Sequence, residues 1–231
     1  MSHRKRTKRT ILLVEDHPMT LMGLKMMIQG EADLSVCGEA TNAGEALDAS
    51  IQLKPDLVIT DITLPGRSGF ELIQDLRSAC PNLPVLVLSM HSEKTYARRA
   101  LEIGARGYIM KCENSGAILE AIRTVLSGSI SVSGAVSGHL LEFLATNSKK
   151  RKSGIDALTA REFEVFKLIG DGVSTCKIAN DLNMSPKTVE SHRSNIKSKL
   201  QTRTMAELTA LAADWFARQS MAESPKSAMV A

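Results

Sequence analysis

Short apolar runs alternate with amphipathic segments along the first half of the chain. Runs rich in Val, Ile and Leu predict five strands, at Ile11–Val14, Leu34–Cys37, Leu57–Thr60, Val85–Leu88 and Gly107–Met110. Apolar residues spaced three and four apart predict a helix after each strand, at Pro18–Gln29, Ala43–Leu53, Gly69–Ser78, Glu93–Ile103 and Ser115–Leu126. Five strand–helix repeats predict a doubly wound, five-stranded parallel sheet with helices on both faces.

The second half of the chain has a purely helical pattern. A capping box, Thr159-Ala160-Arg161-Glu162, predicts a helix that ends at Gly170. A second, short helix is predicted over Ser174–Leu182, and Asn183 suits the left-handed turn that follows it. Ser185 and Pro186 then start a third helix, which runs to about Leu200, and a fourth follows Thr204. These segments predict a small all-α domain of four helices.

Composition changes along the chain predict where the domains begin and end. Ser and Gly dominate residues 127–137, Val136–Leu144 predicts a short linker helix, and residues 147–154 form a basic connector. We therefore expect a basic N-terminal tail over 1–9, an α/β domain over 10–128, a linker over 129–154, a helical domain over 155–217 and a C-terminal tail over 218–231.

Charge divides the chain in the same way. Residues 11–128 have a net charge of −5, residues 129–231 a net charge of +4, and the N-terminal tail adds five basic residues. This asymmetry indicates two bodies with different partners, and a basic half is typical of nucleic-acid binding. Hydrophobic residues make up 43% of the chain, but no apolar run approaches the roughly 18 residues that span a bilayer. Four scattered cysteines and the lack of a signal-peptide pattern favour a reducing cytoplasm, with no membrane partner.

Polar residues follow four of the five predicted strands. Glu15 and Asp16 come after the first strand, Asp61 after the third, Ser89 after the fourth and Lys111 after the fifth. Because the carboxyl ends of parallel strands share one edge of the sheet, we expect these side chains to converge. Asp56, at the opposite end of the third strand, is expected to be structural, and His17 to begin the first helix.

The converging groups suit phosphoryl transfer. That chemistry needs an in-line nucleophile, a divalent cation and further positive charge on the phosphate oxygens. Mg²⁺ prefers oxygen ligands, which Glu15 and Asp16 can supply. Asp61 can then attack phosphorus and become an acyl phosphate, while Lys111 and Ser89 bind the phosphate oxygens.

The first half resembles the receiver domain of two-component response regulators, which has a flavodoxin-like fold. The resemblance covers about residues 9–128 and rests on residues 11–18, 56–69, 85–89 and 104–111. It implies that a sensor histidine kinase transfers phosphate to Asp61 and that the backbone carbonyl of Thr63 joins Glu15, Asp16 and Asp61 as Mg²⁺ ligands. It also implies a switch in which Ser89 and Tyr108 move together on phosphorylation. Cys112 departs from the pattern, since the family often has Pro there, which leaves the geometry of the preceding peptide bond open.

The second and third helices of the basic half have helix-turn-helix spacing. The polar face of the third helix is a candidate for major-groove binding, and residues 187–203 have a local net charge of +4. The candidate DNA-binding residues are Lys187, Thr188, Glu190, Ser191, Arg193, Ser194, Lys197 and Lys199.

This half is similar to the LuxR-type DNA-binding domain that follows receivers in the NarL/FixJ family. The resemblance covers about residues 155–217 and rests on residues 158–162, 178–179 and 185–200. It implies sequence-specific binding to a double-stranded DNA operator, a homodimer on two half-sites, and RNA polymerase as a further partner. Glu190 departs from the family, where that position is often basic. A carboxylate at this position can accept from cytosine N4, which would give a different operator.

Two other functions are compatible with parts of this pattern. A hydrolase that forms an aspartyl phosphate usually has a second Asp two residues after the nucleophile, but Thr63 occupies that position here. We therefore expect no enzyme activity of this chain other than loss of its own phosphate. The second alternative is a phosphorylation-independent DNA-binding regulator that uses the receiver domain as a dimerisation scaffold.

Overall fold

The computed structural model describes residues 8–134, 136–138, 154–182 and 184–223, the last five by their backbone only. The chain divides into two compact units, residues 1–148 and 149–231. Several predicted features lie outside the described residues: most of the N-terminal tail, the greater part of the linker helix, the basic connector, Asn183 and the end of the C-terminal tail.

The first unit contains one five-stranded sheet. Its strands are β1 (Arg9–Val14), β2 (Leu34–Ala40), β3 (Leu57–Thr60), β4 (Val85–Ser89) and β5 (Gly107–Met110). They pair in the order β2-β1-β3-β4-β5, and every pairing is parallel. The predicted doubly wound parallel sheet is therefore confirmed. Three strands are longer than predicted, and β2 gains the most, with three further residues at its carboxyl end.

A helix follows each strand and covers the sheet. The helices are α1 (Pro18–Gln29), α2 (Ala43–Leu53), α3 (Gly69–Ala79), α4 (Glu93–Ile103) and α5 (Ser115–Leu126). Ile11, Leu13 and Ile59 pack in one core with apolar residues of α1 and α5. The alternate strand residues Leu12 and Val58 are also fully buried, so both faces of the sheet are covered.

The segment after α5 returns to the edge of the sheet. Ser131 pairs with Gly107 in a parallel bridge. Its carbonyl accepts from the backbone N–H of Tyr108 at 2.9 Å, and its own N–H donates to the carbonyl of Arg106 at 3.0 Å. The Glu93 carboxylate accepts from the N–H of Ser133 at 2.6 Å. The start of the linker is thus bonded to β5 and to the first turn of α4.

The second unit is helical, as predicted. A short 3-10 helix (Gly154–Ala157) precedes α6 (Ala160–Gly170), α7 (Thr175–Asp181), α8 (Pro186–Leu200) and α9 (Met205–Glu223). The capping box is present, with Thr159 accepting from the N–H of Glu162 and the Glu162 carboxylate accepting from the N–H of Thr159. Ser174 and Ser185 cap α7 and α8, and Pro186 occupies the first turn of α8.

The core of the helical unit lies between α6, α8 and α9. Ile178, Val189 and Ile196 are fully buried, which fixes one face of α7 and α8 toward the inside. Phe163 of α6 packs edge-on against Trp215 of α9, with 5.5 Å between ring centroids. Because α7 and α8 each bury one face, their opposite faces project outward as a helix-turn-helix pair.

Candidate functional site

The four predicted strand ends do meet at one edge of the sheet. Lys111, directly after β5, extends its ammonium to two carboxylates: Nζ lies 2.6 Å from Oε2 of Glu15 and 2.7 Å from Oδ2 of Asp61. The backbone N–H of Lys111 donates to the carbonyl of Ser89 at 2.8 Å, which holds the β5 loop against the end of β4. Residues far apart in sequence therefore form one polar cluster.

The cluster is buried and carries a net negative charge. Glu15 is 2% exposed and Asp61 is 5% exposed. Burial lowers the pKa of Lys111, but its hydrogen bonds to Asp61 and Glu15 outweigh this effect and raise the pKa above its ordinary value. Lys111 therefore stays charged. Counted as formal charges, the carboxylates of Glu15, Asp16 and Asp61 outnumber the Lys111 ammonium by two, which leaves two negative charges for a cation to neutralise.

Backbone contacts hold the Asp61 carboxylate in place. Oδ1 of Asp61 accepts from the N–H of Ile62 at 2.6 Å, and the N–H of Asp61 donates to the carbonyl of Val14 at 3.1 Å. The loop after Asp61 closes through Gly69, whose N–H donates to the carbonyl of Ile62 at 2.8 Å. A Cβ at position 69 would lie 2.0 Å from the Asp61 carbonyl oxygen, so only glycine fits there.

The acidic groups fit a magnesium ion. Glu15, Asp16 and His17 each place a ligand atom within 4.8 Å of the others. Glu15 and Asp16 supply the carboxylate oxygens that Mg²⁺ prefers, and Asp61 adds a third beside them. The two uncompensated negative charges match a divalent ion. The carbonyl oxygen of Thr63 remains a predicted ligand, on the loop that follows Asp61.

The two predicted switch residues are in contact. Tyr108 is 1% exposed and its hydroxyl donates to the carbonyl of His91 at 2.8 Å. Burial raises the pKa of Tyr108 above its ordinary value, against the opposite effect of a hydrogen bond with Ser89. Oγ of Ser89 also accepts from the N–H of His91 at 3.3 Å. Ser89 and Tyr108 are thus linked directly and through the loop that carries His91.

Two histidines lie closer to the site than the sequence indicated. His17 occupies the N-cap position of α1, as its predicted place at the helix start implies, but its side chain makes no capping hydrogen bond; its Nδ1 lies 3.0 Å from Oε1 of Glu15 and 2.9 Å from Oδ1 of Asp16. Nε2 of His91 lies 3.1 Å from the hydroxyl of Thr63, and its ring stacks on Tyr96 at 4.8 Å. No sequence pattern pointed to His91, because its proximity arises from the packing of two loops. The Lys111–Cys112 peptide bond is trans, as are all the peptide bonds that the structure describes.

The candidate DNA-binding residues fall into two groups on α8. Arg193 and Lys197 are half-buried, and the exposed candidates are Lys187, Thr188, Glu190, Ser191, Ser194 and Lys199. Within the described residues, neither Lys187 nor Lys197 has an acidic partner. These two lysines are therefore available to bind phosphate.

The other cations of α8 are engaged within the domain. Nζ of Lys199 lies 2.6 Å from Oε2 of Glu162, so its charge is used against the capping box of α6. Nη1 of Arg193 lies 2.8 Å from Oε1 of Glu190, which also accepts from the hydroxyl of Thr175 at 3.0 Å. Lys199 therefore has a structural contact that the sequence did not indicate, and Glu190 is already hydrogen-bonded without DNA.

Comparison with known proteins identifies a family for each of the two domains. Residues 11–123 match the response regulator receiver domain, and residues 156–212 match the luxR family of bacterial regulatory proteins. The chain is 35% identical over 210 residues to the transcriptional regulatory protein MctR of Rhizobium johnstonii, covering 91% of this chain and 95% of the relative. It is 31% identical over 198 residues to the nitrate/nitrite response regulator NarL of Escherichia coli K12, covering 86% and 92%.

A solved structure shows the same fold. RcsB of Salmonella typhimurium matches with a TM-score of 0.66 at 22% sequence identity, covering 90% of this chain and 98% of that one. The fold and the two domain matches define a phosphorylation-regulated DNA-binding protein. The chain belongs to the NarL/LuxR-type family of two-component response regulators. No helix in the part of the chain that the structure describes is long and apolar enough to cross a membrane.

Proposed function

We propose that Asp61 accepts a phosphoryl group from a sensor histidine kinase in the cytoplasm and that this step controls operator binding by α8. The observation that carries the proposal is the contact of Lys111 with both Asp61 and Glu15 at the carboxyl edge of the sheet. In the transfer, a carboxylate oxygen of Asp61 bonds to phosphorus, while the bond from phosphorus to the kinase histidine breaks and its electron pair leaves with the nitrogen.

Each residue of the cluster has a distinct role in this proposal. Lys111 pairs with Asp61 before transfer and with a phosphate oxygen afterwards, and Ser89 donates to another phosphate oxygen. Glu15, Asp16, Asp61 and the Thr63 carbonyl would hold Mg²⁺, which supplies charge neutralisation on the phosphate when bound. The buried ammonium of Lys111 is well placed for this change of partner because its high pKa keeps it protonated.

An apolar helix face beside the site supports a protein phosphodonor. Met19, Met22 and Met26 are 82%, 58% and 65% exposed and lie three and four residues apart on α1. This helix begins immediately after the Glu15–His17 cluster. A row of flexible, polarisable methionines in water is typical of a protein-binding surface, and its position suits docking of the kinase.

Transmission of the signal would pass through Tyr108. Phosphate at Asp61 gives Ser89 a new acceptor, and this change acts on the hydrogen bonds that Ser89 and Tyr108 make around His91. We expect the phosphorylated protein to bind two DNA half-sites as a homodimer and to act on RNA polymerase at the promoter. The scaffold alternative is not favoured, because the chain joins a receiver domain to a LuxR-type domain, and the contacts of Lys111 with Asp61 and Glu15 support phosphoryl transfer.

The test is the DNA affinity of the whole protein with and without acetyl phosphate and Mg²⁺. The DNA is a random pool enriched by selection on the phosphorylated protein. Acetyl phosphate should tighten binding by the wild type but not by Asp61→Ala, and Asp48→Ala, which removes an exposed carboxylate of α2, should behave as the wild type. Tight binding that is indifferent to acetyl phosphate would instead support the scaffold alternative.

A further inference from the structure

Three polar side chains join the two helices of the helix-turn-helix pair. Oε1 of Glu190, on α8, accepts from Nη1 of Arg193 at 2.8 Å and from the hydroxyl of Thr175, on α7, at 3.0 Å. Nη1 of Arg193 also donates to the hydroxyl of Thr175. The three groups therefore form a closed set of contacts, which we call the Thr175–Glu190–Arg193 triad.

The triad changes how the charge of α8 is distributed. The hydrogen bond from Arg193 holds the pKa of Glu190 below its ordinary value, so Glu190 is ionised and compensates Arg193. The Arg193 side chain is only 18% exposed, whereas that of Glu190 is 57% exposed. Nη2 of Arg193 makes no hydrogen bond to any residue that the structure describes, so the guanidinium keeps a donor for another acceptor.

Cytosine readout by Glu190 would have to compete with these contacts. The Glu190 carboxylate accepts a charge-assisted bond from Arg193, which is stronger than a bond from the neutral amine of cytosine. It also accepts from Thr175, which is anchored on the other helix. A hydrogen bond from a DNA base to Oε1 of Glu190 would require Glu190 to break its bonds with Arg193 and Thr175. It would also leave the charge of Arg193 without a carboxylate partner.

We infer that Glu190 is a positioning residue, which fixes Arg193 across the helix-turn-helix so that Nη2 of Arg193 meets a DNA phosphate. This inference rests on the proposed DNA binding. It predicts a change in DNA affinity opposite to the usual one. Removing an exposed acid from a DNA-facing helix ordinarily tightens binding, because the acid repels phosphate. Here Glu190→Ala should weaken binding, because it releases Arg193.

The experiment uses the whole phosphorylated protein and the DNA enriched by the wild type. Glu190→Ala and Thr175→Val should each raise Kd by roughly three- to tenfold, about the size of one lost coupled contact. Glu190→Gln should keep most of the affinity, since its amide oxygen still accepts from Arg193. The matched control is Asp181→Ala, which removes an exposed acid from the end of α7 and should leave affinity unchanged or tighter.

Two further readouts separate positioning from base recognition. Selection with Glu190→Ala should enrich the same sequence as the wild type, and Glu190→Ala/Arg193→Ala should bind no more weakly than Arg193→Ala. A changed base at one position of each half-site, seen with Glu190→Ala but not with Thr175→Val, would overturn the inference. Unchanged or tighter binding by Glu190→Ala would overturn it as well.

Failure of the proposed function would look different. In that case the wild type enriches no DNA sequence at all. The triad can still be measured then, through the urea midpoints of the wild type, Glu190→Ala, Arg193→Ala and the double variant. Additive midpoints would contradict the contact itself, while non-additive midpoints would support the triad and leave only its DNA role refuted.

Discussion

Lys111 forms hydrogen-bonded ion pairs with Asp61 and with Glu15, at 2.7 Å and 2.6 Å. All three side chains are nearly inaccessible to water, with exposed fractions of 9% for Lys111, 6% for Asp61 and 2% for Glu15. One ammonium thus pairs with two buried carboxylates, and the same ammonium is the group that would bind a transferred phosphate.

Removal of the ammonium should destabilise the first unit. Lys111→Met keeps the aliphatic volume but leaves Glu15 and Asp61 as buried carboxylates without their cation. Loss of one partner from a buried ion pair costs about 3 kcal/mol or more. Hydrogen exchange of the β1 and β3 amides should accelerate accordingly. Lys25→Met, which removes the exposed partner of Glu39 on the same unit, is the control and should change exchange little. Equal acceleration of amide exchange in Lys111→Met and Lys25→Met would contradict the expected loss of stability on removal of the buried ammonium.

Magnesium should stabilise the first unit through the same carboxylates. An ion that binds only the folded state adds RT ln(1 + [Mg²⁺]/Kd) to the free energy of unfolding, about 2.7 kcal/mol at one hundred times Kd. The thermal midpoint of the wild type should therefore rise with Mg²⁺, and that of Asp16→Asn should rise much less. Lys111→Met should gain more from Mg²⁺ than the wild type does, since the ion replaces part of the lost positive charge. A midpoint of Asp16→Asn that rises as much as that of the wild type would place the ion elsewhere.

The contact between β5 and the linker depends on a glycine. A Cβ at Gly107 would lie 2.8 Å from Cδ1 of Leu86 and 2.9 Å from the carbonyl oxygen of Ser131. Because Leu86 is in the core, we expect Gly107→Ala to displace the Ser131 segment, to cost about 1–3 kcal/mol and to accelerate exchange of the Tyr108 amide.

Gly23→Ala is the matched control for Gly107→Ala. Gly23 lies on α1, and a Cβ there would meet nothing within 4 Å. Alanine is the better helix former, so this variant should be stabilised by about 0.5–1 kcal/mol. A Tyr108 amide that is as protected in Gly107→Ala as in the wild type would contradict the dependence of the linker contact on this glycine.

The repeating pattern of the sequence was enough to predict the fold. Each strand of the first unit is a short apolar run, and helices of the second unit begin at capping residues that the sequence makes visible, such as Thr159 and Ser185. Parallel pairing then places every strand end at one edge, which is why Glu15, Asp61 and Lys111 could be grouped before any distance was known. The direction of the chain and the spacing of its apolar residues, which determine this grouping, can both be seen in short stretches of sequence.

Contacts between loops and between helix faces were not visible in that way. His91, the Ser131 bridge to Gly107 and the partners of Glu190 all depend on which side chains meet after packing. Lys199 illustrates the limit. Its position on a basic helix predicted a DNA contact, but its distance from Glu162 depends on how α8 packs against α6.

Lys199 and Lys197 should therefore behave differently when each is replaced by alanine. Lys199→Ala removes a partner of the buried Glu162 and should lower the free energy of unfolding by about 1–2 kcal/mol. Lys197→Ala should leave stability unchanged but reduce the slope of log K against log salt by about 0.9, the value for one phosphate contact. Trp215 is the single tryptophan of the chain and packs in this unit, so its fluorescence reports unfolding there. An unchanged salt slope with Lys197→Ala would remove that residue from the DNA interface.

Acid should weaken the helical unit through Glu162. Burial raises the pKa of Glu162, but hydrogen bonds from Lys199 and from Thr159 outweigh this effect, and the pKa lies below its ordinary value of 4.5. A carboxyl whose pKa is lower in the folded state binds protons more readily when unfolded. Its stabilising effect is therefore complete well above pH 4.5 and is lost as the pH falls from there through the folded-state pKa.

The measurement compares urea midpoints, read from Trp215 fluorescence, for the wild type and Glu162→Gln between pH 7 and pH 3. At neutral pH the variant should be less stable by about 1–2 kcal/mol, because it loses the charge-assisted bond to Lys199 while its amide oxygen can still cap α6. The difference should shrink as the pH falls below 4.5, since protonation of Glu162 makes the wild type resemble the variant. Glu164→Gln, which alters a mostly buried pair with Arg161 on the same helix, tests whether any acid of α6 gives this result. A gap between wild type and Glu162→Gln that stays constant down to pH 3 would mean that the Glu162–Lys199 pair does not supply the acid sensitivity of this unit.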